Sequence, residues 1–227
     1  MIAEHTLVRC TEEKHRTLTA ELDAAAGHHF VADQPRKGFE YADLFLATTS
    51  RHLNAVESVL LPVAQKRIPD GEDLVHAYVH ASKELEVALV NAKGREYGSA
   101  YSVKMQWPEV WAAVRTRLAQ ERLLELEIAE RLSAELDDSE VTDVVERLES
   151  SEPDAPSRPH PHAPHLGTRG RIARRVLHAV DSFWDTTEGR MVPEKQHAPR
   201  KKPGLIGQYL LADPRFDEDD RDDDQDG

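Results

Sequence analysis

The sequence predicts an all-α protein: an antiparallel up-down four-helix bundle followed by an accessory helix and a disordered acidic tail. Two patterns carry the prediction. Apolar residues recur at spacings of three and four in four long stretches, and no stretch alternates with the period of two that a strand requires. A third pattern points to function. Histidine or glutamate stands near the midpoint of three of those four apolar stripes. Burying such groups alone costs on the order of several kcal/mol, so hydrogen-bonding partners or a metal ion are expected beside them.

The first helix is predicted over residues 4–26. Val8, Thr11, His15, Leu18 and Leu22 share one face with His15 central, and Gly27 ends the helix. His28, His29 and Pro35 then read as solvated loop. The second helix, over 39–61, carries Phe45, His52, Val56, Val59 and Val63 on one face, again with the histidine central, and Pro62 kinks or ends it. Pro69, Asp70 and Gly71 form a turn into a third helix, whose acidic first turn at Glu72 and Asp73 suits the helix dipole and which ends near Gly94. Its apolar stripe is Leu74, Tyr78, Ala81, Leu85, Leu89 and Ala92. His76 and His80 have the spacing that puts two imidazoles on one face, nearly opposite that stripe. Pro108 suits the start of a fourth helix, predicted to residue 136. There Trp111, Val114, Leu118, Glu121, Glu125, Ile128 and Leu132 form one seam with two carboxylates inside it. In an up-down bundle the midpoints of such helices lie at one level, so His15, His52, Glu121 and Glu125 are expected to converge in a single layer.

The bundle is assigned residues 1–150, including a short acidic helix over 141–148. Residues 151–168 hold five prolines and three histidines, with the run PHPHAPH, and read as an extended linker. Residues 169–190 read as an amphipathic accessory helix with Ile172, Val176, Leu177, Val180, Phe183 and Trp184 on its apolar face. That face docks on the bundle or, with Arg169, Arg171, Arg174 and Arg175 beside it, meets a partner or a membrane surface. Residues 191–227 read as disordered, first basic and then acidic, the last fifteen holding eight Asp and one Glu against two Arg.

A net charge of −13 argues against nucleic acid as a partner, because phosphate neutralisation takes clustered Lys and Arg. Cys10 is the only cysteine, so neither an intrachain disulfide nor an all-cysteine metal site can form, which fits a reducing compartment. It lies off the first apolar stripe with no activating neighbour. The chain opens without a basic region and apolar run, and it has no stretch of about 18 apolar residues, so a cytoplasmic protein with no transmembrane segment is expected. No nucleophile, phosphate loop or cofactor motif accompanies the carboxylates, which leaves an enzyme the least supported reading.

The stretch HLNAVESVLLP, followed by HAYVH, resembles the hemerythrin-like, or HHE cation-binding, family over residues 4–136. The PHPHAPH linker and the helix ending at Trp184 also look like the tails of bacterial members. The resemblance implies an antiparallel four-helix bundle that holds non-haem iron between its helices. It further implies ligands from one His in the first helix, a His and a Glu four residues later in the second, one or two His in the third, and a His with an acid in the fourth. His15 and His52 match the first two positions, and Glu125 suits the last acid. His76 and His80 stand where the third helix supplies ligands, while Gln120 and Glu121 stand where a fourth-helix His is expected. Four residues beyond His52 stands Val56, and Glu57 lies about 140° from His52 on an ideal helix, so the second-helix carboxylate is expected to be lost.

Two readings of the layer stay open. Two His and two Glu suit one iron ion, or manganese or zinc, with dioxygen or another small species as its ligand and sensing as the function. The same residues also suit a metal-free buried network closed by Tyr78 or Tyr41. In that case the bundle is a scaffold, and the accessory helix or tail meets a protein partner.

Overall fold

Local sequence signals set the ends of each helix in the computed structural model, which describes residues 6–28, 39–96 and 106–160. The elements are α1 (Leu7–Gly27), α2 (Phe39–Ala55), a π-helical turn (Val56–Leu60), α3 (Leu61–Arg67), α4 (Gly71–Glu96), α5 (Trp107–Glu135), α6 (Asp138–Ser151) and a 3-10 turn (Glu152–Asp154). No strand occurs among the described residues. The predicted accessory helix, the acidic tail, His29, His162 and His165 lie outside them.

Thr6 caps α1 by accepting the Arg9 N–H on its hydroxyl, at 3.3 Å. Reciprocal side-chain to backbone bonds between Gln106 and Glu109 open α5, with Pro108 in its first turn, and the same arrangement between Asp137 and Glu140 opens α6. Between α3 and α4 the chain turns tightly enough that Asp70 takes φ 57°. A Cβ on Gly71 would collide with the Ala64 carbonyl oxygen, so only glycine fits there.

Pro62 neither ends nor simply kinks the second helix, which continues to Arg67. A proline inside an α-helix lacks one donor and its ring clashes with the carbonyl four residues back. The chain accommodates it in the turn just before, Val56–Leu60, where the Leu61 N–H bonds the Val56 carbonyl five residues away.

α4 packs along α5, and α1 packs along both α2 and α5. The apolar interior is divided into two clusters. One contains Leu7, Val56, Leu60, Val75, Ile128 and Leu132, and is covered by Val144, Val145 and Leu148 of α6. The other contains Leu18, Leu22, Phe45, Leu46, Leu85, Leu89, Val114 and Leu118. Along the chain, α1 and α4 lead from the first cluster to the second, and α2 and α5 lead back. The residues where each helix passes from one cluster to the other include His15, His52, Ser82, Glu121 and Glu125, all buried.

Residues 151–160 of the Pro-rich run are described, and they lie against the helices. Ser151 still belongs to α6, and Ala155, Pro156, Ser157 and Pro159 are buried against the helices. Proline makes this inexpensive, since an extended segment with fewer N–H groups has fewer donors to satisfy. The His160 N–H is bonded to the buried Glu86 Oε1 at 3.1 Å.

Candidate metal centre

Phase along each helix decides which polar groups enter the layer. His15 follows Leu7 and Thr11 and precedes Leu18 and Leu22 on the buried face of α1. His52 occupies the buried face of α2, while Glu121 and Glu125 fall between Leu118 and Ile128 on that of α5. The structure brings these four together as the sequence predicts. One donor atom from each lies within 4.8 Å of the others, and all four side chains are buried. The cluster can therefore hold a metal ion.

Glu125 is the hub. Its Oε2 lies 2.8 Å from His15 Nε2 and 2.9 Å from His52 Nε2, and Thr11 Oγ1 donates to its Oε1 at 3.1 Å. The Tyr78 hydroxyl donates to Glu121 Oε1 at 2.5 Å. Glu121 Oε2 is buried without a hydrogen-bond partner, 3.7 Å from His15 Nε2. On its far edge, His52 places Nδ1 3.0 Å from Glu152 Oε1, and the other oxygen of Glu152 pairs with Lys14.

These contacts set the charges. Burial alone would push the His52 imidazole down, but the charge of Glu125 and the hydrogen bonds from Glu125 and Glu152 hold it up, at about 10. Burial would likewise raise Glu125, yet the charge of His52 and the bonds from both imidazoles hold it below the usual carboxylate range. Glu121 is pushed up to about 7 by burial, against the attraction of His15, with the neighbouring Glu125 charge adding to the rise. The Tyr78 phenol is raised well above its ordinary value by burial and by the Glu121 charge, so it stays a donor.

A cavity of about 300 Å³ leads to this layer, lined by Thr11, Lys14, Thr17, His52, Glu125 and Glu152 among others. Cys10 also lines it, and burial followed by the Glu149 charge lifts its thiol to about 11, so it stays protonated.

The other sequence-predicted positions fall elsewhere. His76 and His80 are exposed on α4, away from the layer, because that helix buries Leu74, Tyr78, Leu85 and Leu89 instead. Of the two tyrosines expected to close the network, Tyr78 does so, whereas Tyr41 stacks on His28 with ring centroids 3.6 Å apart.

Two residues were missed by sequence reasoning. Glu57 is outside the four-donor cluster, as expected, but it is buried, and Ser82 Oγ donates to its Oε1 at 3.0 Å. It lies in the π-helical turn Val56–Leu60, where the angle of a regular helix does not hold. Pro62 is the signal that locates such a turn. Glu152 was hidden for a different reason, since it reaches His52 from 100 residues further along the chain and shares no helix with it. No protein-family profile, curated protein or solved structure matches the chain.

Proposed function

We propose that this chain is a hemerythrin-like antiparallel four-helix bundle whose polar layer holds a single non-haem metal ion, iron in the first instance. Its proposed function is to sense dioxygen or a related small species in the cytoplasm. The observation that carries the reading is the convergence of His15, His52, Glu121 and Glu125 from three helices, with donor atoms within 4.8 Å of one another. Ligands on one ion, each about 2.0–2.2 Å from it, are separated on a similar scale, so the set fits with small side-chain adjustments. Glu121 Oε2, buried without a hydrogen-bond partner, supplies the oxygen that the protein itself leaves unsatisfied. The alternation of α1, α2, α4 and α5 between the two apolar clusters supports the bundle topology.

Two neutral imidazoles and two carboxylates balance a divalent ion, and this mixed nitrogen and oxygen set suits iron, with manganese and zinc as alternatives. Bound there, iron supplies redox chemistry and affinity for small oxygen species. Thr11 orients Glu125 and Tyr78 orients Glu121, while the apolar clusters on either side keep bulk water out. The cavity beside His52 and Glu125 gives a small molecule its route.

A second reading is favoured by one specific observation. Both imidazoles already contact Glu125 Oε2 directly, which is the arrangement of a self-sufficient metal-free network serving a scaffold. Elemental analysis separates the two. The full chain, purified without chelator, is expected to carry about one equivalent of iron, manganese or zinc, lost in His52→Ala. No metal in either protein, even after anaerobic incubation with ferrous iron, would leave the scaffold reading.

A further inference from the structure

We propose that Glu152 is the positioning residue of the metal site: it accepts the Nδ1–H of His52 and so presents the Nε2 lone pair of that ring to the ion, with Lys14 anchoring its carboxylate. The inference rests on the metal-binding reading above and extends it to a residue outside the four-donor cluster. An imidazole can ligate only through a nitrogen that carries no proton, and the acceptor on its other nitrogen decides which one that is. Here the assignment is fixed by geometry on both edges of one ring. Nε2 faces Glu125 at 2.9 Å, and Nδ1 faces Glu152 at 3.0 Å. Nothing similar supports His15, whose Nδ1 is buried with no hydrogen-bond partner. His52 is thus the one cluster imidazole with both ring nitrogens engaged.

The origin of Glu152 gives the contact its consequence. It comes from the 3-10 turn after α6, at the head of a run whose Ala155, Pro156, Ser157 and Pro159 are buried. That run is anchored at its far end by the His160 N–H on Glu86. Glu152 and Lys14 also line the cavity that reaches the layer. Seating residues 152–160 against the helices therefore orients a ligand, and unseating them frees the ring to turn. Metal affinity is coupled to the docking of this segment.

The test titrates Co(II), as the metal alone, into the full chain and its variants, following the visible absorption of the bound ion. Glu152→Ala is expected to weaken Co(II) binding about 10- to 100-fold, the range typical of lost outer partners of a ligating histidine. Glu152→Gln keeps an oxygen that accepts the Nδ1–H and is expected to recover most of the loss, although it gives up the charge that pairs with Lys14. A purely structural role would lower the melting temperature of both variants without separating their Co(II) affinities. On the wild-type chain, long-range proton–nitrogen NMR of the Zn(II)-loaded protein reads the ring directly, so the proposal stays testable even if Glu152→Ala does not fold. A protonated Nδ1 and a metal-bound Nε2 are expected at His52. Coordination through Nδ1, or unchanged Co(II) affinity in Glu152→Ala when His52→Ala has lost it, overturns the role of Glu152 alone. No Co(II) uptake by the wild type overturns the metal-binding reading and this proposal with it.

Discussion

Two neighbouring helices each carry a pair of metal-capable side chains four residues apart, and only one pair is inside. Glu121 and Glu125 on α5 are fully buried, whereas His80 on α4 has a side chain 77% exposed and His76 is exposed beside it. Spacing does not distinguish them, since both pairs share a face of their own helix. Phase does. The glutamates continue the line of Val114, Leu118, Ile128 and Leu132, while the histidines sit off the line of Leu74, Tyr78, Leu85 and Leu89. Burial then obliges the glutamates to find partners. Glu125 contacts Thr11, His15 and His52, and Glu121 accepts from Tyr78. His80 Nδ1 lies 3.9 Å from Glu84 Oε2 on its own helix.

The largest effect expected from this contrast is at its centre. Glu125→Ala removes the common partner of two buried imidazoles, and breaking a buried pair in this way destabilises by about 3–5 kcal/mol. Chemical denaturation of the variant should show that loss, and its metal content should fall to background. A change in stability no larger than that of a surface substitution would place Glu125 with His76 and His80, and the contrast would collapse.

A smaller effect appears without any substitution, in the pH dependence of the chain freed of metal. His52 is raised to about 10 from an ordinary 6.5, so its contribution is complete below about pH 6.5 and is lost as pH rises toward 10. Glu121 is raised from 4.5 to about 7, so between those values the folded chain keeps a proton that the unfolded chain gives up, and stability again falls as pH rises. Glu125 runs the other way: held below its ordinary value of 4.5, it contributes above that pH and loses its contribution in acid. The free energy of unfolding should therefore decline from about pH 5 to pH 9, by an amount on the order of a few kcal/mol shared among the coupled groups. In His52→Gln the part of the decline above about pH 7 should vanish. A flat profile over that range would mean that the layer is not the tightly paired network described.

How much of this was legible in the sequence depended on whether one helix sufficed to see it. The four cluster residues were legible because each interrupts a stripe that a regular helix keeps in phase, as His15 does between Thr11 and Leu18. The exposed placement of His76 and His80 followed from the same wheel. The burial of Glu57 was missed because the wheel assumes regular turns, and the π-helical turn before Pro62 breaks that assumption locally. Glu152 could not be placed by any wheel, because its contact depends on how a segment beyond α6 folds back across α2. The burial of Glu57 can be measured. Glu57→Ala leaves the buried Ser82 hydroxyl without that acceptor, an expected loss of about 1–3 kcal/mol by chemical denaturation. A neutral result would mean that the contact between Glu57 and Ser82 adds nothing to stability.

The smallest expected effect is at the outer pair, and it bears on the comparison most directly. His76 and His80 together offer two imidazoles on one face of α4, enough to touch a metal ion from solution but with no buried carboxylate to balance its charge. Any ion they held would exchange with water and leave on dialysis, whereas one held by His15, His52, Glu121 and Glu125 would sit among buried side chains of α1, α2 and α5. The double variant His76→Ala, His80→Ala should therefore match the wild type in melting temperature and in the metal that survives dialysis. Glu125→Ala, measured in the same series, should lose both. If instead the outer pair carried the retained metal, the double variant would come out empty while Glu125→Ala stayed loaded. Spacing, not phase within the packed helices, would then decide where this chain binds an ion.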